Sequence, residues 1–224
     1  GQGNQTDVIT ISFSSTDYIG HQYGPHAAEI KDTYIRLDND IADILNNLDK
    51  EIGAENVVLF ITADHGVVSE PQELLERNIP AGYFDGSVMK TELSTYLITN
   101  YGEGEWIKNY SNNQLFLNQK LILERNIDLQ EIERKCANFF LKYEWVKNTY
   151  TATQINENEY NNSFHSLIQR GYNQKRSGDV IVSLQTGWLS SYWEKGGTTH
   201  GSSYSYDTHV PLIFWGGKIP QGQT

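Results

Sequence analysis

The sequence predicts an α/β protein: a mostly parallel sheet flanked by helices, with an inserted, smaller α+β lobe. Two observations predict the sheet. Residues 8–13 and 57–61 are short runs nearly continuous in apolar and β-branched side chains, the pattern of strands buried on both faces. Between them Ile30, Tyr34, Leu37, Ile41, Ile44 and Leu48 recur at steps of three or four, the apolar stripe of a helix. Strand, helix and strand in that order make a right-handed βαβ unit. A third observation predicts the lobe: after Gly66 the chain turns rich in glycine and proline, through Pro71, Pro80, Gly82, Gly86, Gly102 and Gly104. The expected organisation is residues 1–69 as the first part of the core, 70–168 as the lobe, and 169–224 as the return to the core sheet.

Taken in order, residues 8–13 form the first expected strand, running into a polar loop that holds Asp17 and His21. If Asp17 opens a turn of helix, both side chains leave one face of it. Gly24-Pro25 is a break, and His26 reads as a helix-entry or surface residue. Helix follows over 27–48, with Asp38, Asp40, Asp43 and Asp49 off its apolar stripe and therefore solvated. Gly53 ends it before the strand at 57–61. Within the lobe, 89–99 reads as a helix followed by a short strand at 94–99, and 114–117 and 120–123 as short apolar pieces. Asp128 is a helix N-cap, and Leu129, Ile132, Cys136, Phe139 and Phe140 share one face of that helix. Cys136 on this stripe reads as a buried structural thiol. Residues 146–152 read as a strand, and His165 as a structural residue of a helix-like stretch. Residues 180–184 read as a strand returning to the main sheet. Residues 210–215 form the last strand, whose Pro211 has no amide to donate and so lies at an edge.

Composition bounds the function. The chain has 224 residues, of which 20% are charged and 38% hydrophobic, the make-up of a folded domain. A net charge of −11 excludes a general binder of nucleic-acid polymers, which needs a basic footprint. A single cysteine, Cys136, excludes an internal disulfide framework. No apolar run approaches the roughly 20 residues of a membrane span, and no signal peptide opens the chain. The residues from Gly1 to Gln5 read as an artificial start, so this last point says little about location.

Chemistry concentrates in a few polar stretches. Asp64 and His65 stand side by side beyond the expected carboxyl end of the strand at 57–61, where open α/β sheets bind ligands. A carboxylate and an imidazole together suit zinc. Asp17 and His21 form a second such pair at the same expected edge. Gly196 to Ser202 is a glycine loop holding His200, free to bring an imidazole close to a site, and His209 lies just before the last strand. Three such ligands make a zinc site with an open position, while five or six suit two ions spaced for in-line phosphoryl displacement. There is no Gly-x-Ser-x-Gly elbow, no Walker-type loop and no dinucleotide fingerprint.

Three motifs in order, Ser14 to Pro25, Thr62-Ala63-Asp64-His65-Gly66 and Thr199-His200-Gly201-Ser202, resemble the alkaline phosphatase superfamily. Within it the resemblance is to phosphate-irrepressible alkaline phosphatases and type I phosphodiesterases/nucleotide pyrophosphatases, and it runs along nearly the whole chain. It implies an alkaline phosphatase-like core and two zinc ions. Asp17, His21 and His200 match the ligands of one ion; Asp64 and His65 match two ligands of the other. His209 is the rival to His200, and the resemblance favours His200. The family's remaining ligand and its Thr or Ser nucleophile belong upstream of Asp17, so the chain is expected to be the carboxyl-terminal part of a larger enzyme, with an incomplete core, inactive alone and holding one zinc or none. The resemblance further implies hydrolysis of small phosphate monoesters or diesters by an exported, periplasmic protein. A cofactor-independent phosphoglycerate mutase, a sulfatase and a non-catalytic metal-binding module are the alternatives.

Overall fold

The computed structural model describes residues 3–161, 163–217, 219, 220 and 222; Gly1 and Gln2 lie outside the described residues. The chain forms two compact units: residues 1–70, 196–200 and 206–224 make the first, and residues 71–195 and 201–205 the second.

The first unit opens with helix α1 (Ser15–Tyr23), then α2 (Ala28–Ile52) and strand β1 (Val58–Thr62). Both helices stop at glycines with positive φ, Gly24 at 83° and Gly53 at 82°, whose amides close back on Gly20 and Asp49. The helix expected over 27–48 is therefore present and one turn longer, and Asp17 does start a helical turn. Asp49 also caps the next turn, its carboxylate accepting from the amide of Ala54.

The α/β class stands, but the parallel sheet of the first unit does not. Residues 8–13 form no strand and no ladder, and Val8 and Ile9 are 83% and 78% exposed. The run has the composition of a buried strand, yet composition cannot supply a partner. β1 pairs instead with the last strand of the chain, antiparallel, from Val58 opposite Gly216 to Thr62 opposite Leu212. The βαβ unit thus never closes. The residues that read as buried on both faces are also partly bare, with Phe60 59% and Phe214 53% exposed on the same face of the pair.

The second unit runs α3 (Pro71–Glu76), β2 (Gly82–Phe84), α4 (Gly86–Tyr101), β3 (Ile107–Ser111), β4 (Gln114–Leu117), α5 (Gln119–Glu124), α6 (Leu129–Phe140), β5 (Val146–Thr151), α7 (Ala152–Glu157), α8 (Phe164–Gly171), β6 (Val180–Leu184) and β7 (Trp188–Ser190). Its main sheet has the order β3-β4-β6-β5 and is antiparallel throughout, whereas β2 and β7 form a parallel pair. The β3–β4 hairpin turns on Asn112 and Asn113, both at positive φ (50° and 56°), a conformation asparagine tolerates in tight turns. Asp128 caps α6 by accepting from Gln130, as its sequence predicts. The core gathers Leu97, Trp106, Leu115, Ile132, Phe140 and Val180, all fully buried, and Cys136 lies among them.

Two expectations for this region change. Residues 94–99 are not a strand but the last half of α4; Asp85 caps that helix, and Met89, Leu93 and Leu97 at steps of four form its buried face. The β-branched residues between them sit on the other faces, and the tertiary contact overrides their strand preference. β6 was expected in the sheet of β1; it lies between β4 and β5, inside the second unit. Apolar runs of this length say that a strand exists, not which sheet takes it. The chain closes with α9 (Ser205–Thr208) and β8 (Leu212–Gly216), with Pro211 just outside the ladder.

Candidate metal centre

The first unit brings three separate stretches of sequence to one place. Asp17 and His21, one helical turn apart, leave the same face of α1. His65 follows the carboxyl end of β1, and His200 stands on the loop that begins at Gly196. The Nε2 atoms of His21, His65 and His200 lie 3.5, 3.7 and 3.8 Å from a single atom, Oδ1 of Asp17. The rings of His65 and His200 are stacked with centroids 3.3 Å apart, and His21 and His200 stand at 5.1 Å. A cleft of about 330 Å³ opens beside them, lined by Asp17, His21, Asp64 and His65 and walled by Ile30 and Tyr34.

The donor set fits a zinc ion. One ligand atom from each of Asp17, His21 and His200 lies within 4.8 Å of the others. Ligands on a tetrahedral zinc stand roughly 3.3 Å apart, given bonds of about 2.0–2.1 Å, so the two spacings from Asp17 Oδ1, 3.5 Å to His21 and 3.8 Å to His200, need to close by only a few tenths of an ångström. The tautomers are also set. Nδ1 of His21 lies 2.7 Å from the carbonyl of Thr198, and Nδ1 of His65 lies 2.9 Å from the carbonyl of Gly66. A carbonyl only accepts, so each Nδ1 carries the proton and each Nε2 presents its lone pair inward. Burial, and then the neighbouring His65 and His21, hold the His200 imidazole below its usual titration range, so it stays neutral and able to ligate at neutral pH.

Of the five residues singled out from sequence, four converge. Asp64 stands at the rim of the cluster rather than within it: its side chain is 90% exposed and, among the described residues, its Oδ1 approaches the cluster at Nε2 of His65, 3.8 Å away. His209, the rival to His200, is exposed and belongs to no metal-ligand group among the described residues.

The sequence reading missed the residues that hold the His200 loop. Thr198 is fully buried; its hydroxyl donates to the carbonyl of Val68 at 2.7 Å and its amide to the carbonyl of His21 at 3.2 Å. The carboxylate of Glu70 accepts from the amide of Gly197 at 2.7 Å. The glycines of the loop are required by geometry. Gly197 has φ of 93°, and a Cβ there would stand 2.2 Å from the carbonyl oxygen of His21. Thr198 could have been suspected as a small polar residue between Gly-Gly and a histidine; nothing in the sequence marks Glu70.

A family model described as type I phosphodiesterase / nucleotide pyrophosphatase matches residues 2–207. Alkaline phosphatase PafA of Elizabethkingia meningoseptica is 36% identical over 224 residues, all of this chain and 41% of that protein. Alkaline phosphatase PhoV of Synechococcus elongatus is likewise 36% identical over 224 residues, 40% of its length. The crystal structure of wild-type PafA superposes with a TM-score of 0.85 over 94% of this chain and 40% of that one. The chain thus spans about 40% of the length of the curated relatives it matches.

Proposed function

Since the chain belongs to the type I phosphodiesterase / nucleotide pyrophosphatase family, we propose that it supplies one metal-binding half of the active site of a zinc-dependent hydrolase of small phosphate monoesters or diesters. The observation that carries this reading is the convergence of Nε2 atoms from His21 and His200 on the carboxylate of Asp17, from elements far apart in sequence. The names of PafA and PhoV, both alkaline phosphatases, support the same chemistry.

In this reading Asp17, His21 and His200 hold one zinc ion, and Asp64 and His65 contribute to a second. Zinc, when bound, supplies a Lewis acid for the phosphoryl and leaving-group oxygens. The chain's own residues prepare the site: Thr198 and Gly66 orient two imidazoles through their carbonyls, and Ile30 and Tyr34 give the cleft an apolar wall. The attacking Thr or Ser, and the remaining ligands of the second ion, lie in the part of the protein that this chain does not span. Zinc rather than another divalent ion is favoured by the imidazole-rich donor set. Export to the periplasm is the location proposed from the family resemblance; among the described residues no helix is long and apolar enough to cross a membrane.

The test is turnover of nitrophenyl phosphate and bis-nitrophenyl phosphate by the full-length protein before and after chelation. Loss of both activities with chelator, and recovery with zinc, is the expected result. Turnover that ignores the chelator overturns the proposal.

A further inference from the structure

The site described above accounts for its ligands but not for Glu70. Its carboxylate lies between two elements of the first unit. On one side it accepts from the amide of Gly197, the second residue of the loop that carries His200. On the other it covers Gly24, the C-cap of the helix that carries Asp17 and His21: a Cβ on Gly24 would meet Oε2 of Glu70 at 2.6 Å. This is a poor place for a carboxylate on stability grounds, because the C-terminal end of a helix disfavours negative charge. A side chain placed against the local electrostatic preference points to a role elsewhere.

That role is legible in the chain of bonds around it. Residues 68–70 present two acceptors to the loop, the carbonyl of Val68 to the hydroxyl of Thr198 and the carboxylate of Glu70 to the amide of Gly197. Thr198 in turn bonds His21 twice, donating its amide to the His21 carbonyl and accepting from Nδ1 of the ring. Remove the Glu70 contact and the charge-assisted bond of the set is lost; the neutral bonds to Thr198 remain. Gly196 and Gly197, both at positive φ, bring backbone freedom that these bonds restrict.

We propose that Glu70 is a positioning residue for the metal centre: it clamps the Gly196–Gly197 loop against the end of α1 and so sets His200 at ligating distance from Asp17 and His21. The inference rests on the metal-site reading given under Proposed function. It adds a residue that touches neither substrate nor ion and acts through the loop.

The test uses the full-length protein, with zinc affinity read by competition against a chromophoric chelator and ligand geometry read from the visible spectrum of the cobalt-loaded form. Glu70→Ala is expected to weaken the binding of one ion ten- to hundredfold, the range seen when groups supporting a metal ligand are removed, and to alter the cobalt bands. Glu70→Gln keeps an acceptor oxygen at the same reach and is expected to hold zinc within about threefold of wild type. The melting temperature of the metal-free protein should move little in either variant. Should Glu70→Ala not fold, Glu70→Asp carries the test: it keeps the charge but falls one methylene short of Gly197, and should behave as the alanine variant is expected to. Wild-type affinity in the alanine or aspartate variant, or an equal loss in the glutamine variant, overturns the assignment of Glu70 alone. A wild-type protein that takes up no zinc overturns the metal reading, and this inference with it.

Discussion

Replacing Gly197 by alanine tests how closely the His200 loop must approach α1. Two effects follow from the structure. The φ of 93° is one that L side chains rarely adopt, which costs about 1–2 kcal/mol. The new Cβ would also begin 2.2 Å from the carbonyl oxygen of His21, so the loop must retreat by at least about 0.8 Å to reach even a tight contact of about 3.0 Å. The Thr198 amide bonds that same oxygen at 3.2 Å, and such a retreat breaks the bond, adding about 1 kcal/mol. Together the variant should lose about 2–3 kcal/mol. Metal sites tolerate ligand errors of only about 0.2 Å, so a shift of this size three residues from His200 should also cost at least tenfold in zinc affinity. Gly196→Ala is the control. Its φ is 114°, but its Cβ would meet nothing nearer than Oε1 of Glu70 at 3.8 Å, so it carries the backbone strain without the collision. Chemical denaturation of the metal-free forms and calorimetric titration with zinc separate the two terms. Equal zinc affinity in the Gly197→Ala and Gly196→Ala variants would refute the claim that close approach at Gly197 sets the site.

Other expectations follow from the same structure. His200→Ala should reduce zinc binding by at least an order of magnitude, whereas His209→Ala, at an exposed position outside the ligand group, should leave it unchanged in the same titration; the reverse result would transfer the ligand role to His209. Leu97→Ala empties a fully buried position on α4 and should cost about 2–5 kcal/mol, read from chemical denaturation. Burial, reinforced by the charges of Asp179 and Glu133, pushes the Cys136 thiol up to about 12. At pH 8 only about one thiol in ten thousand is then ionised, so Ellman's reagent should report no free thiol until the protein is unfolded, and prompt labelling of the native form would contradict the burial.

What was legible in the sequence was local. The stripe from Ile30 to Leu48 fixes a helix because six apolar residues at that spacing have no other compact arrangement, and Asp128 caps its helix because a short carboxylate before an apolar stripe satisfies otherwise orphaned amides. Asp17 and His21 were placed together by helical spacing alone, which needs no partner. Pairing was not legible. The run at 8–13 has strand composition without a ladder, β6 joined a different sheet from the one expected, and 94–99 became helix once Leu93 and Leu97 were drawn into the core. Each of these depends on residues distant in sequence, which periodicity does not encode. Glu70 belongs to the same class: its importance lies in a bond spanning 127 positions of the chain.

The position of Asp64 bears on how many ions this stretch of chain can organise by itself. Adjacent residues beyond the end of β1 suggested that Asp64 and His65 act as a pair; His65 turns inward, its Nδ1 tied to Gly66, while Asp64 lines the cleft with a largely exposed carboxylate 3.8 Å from Nε2 of His65. β1 ends at Thr62 and the chain bends at Asp64, so the strict alternation of a strand no longer separates the two side chains. A second cation would draw both in, provided further anionic ligands share the cost of its desolvation. Among the described residues, Asp17 approaches three imidazoles and Asp64 approaches only that of His65. On the reading proposed above, Asp17, His21 and His200 supply the protein ligands of one divalent ion, and Asp64 and His65 mark the side from which the rest of a two-ion site would be supplied.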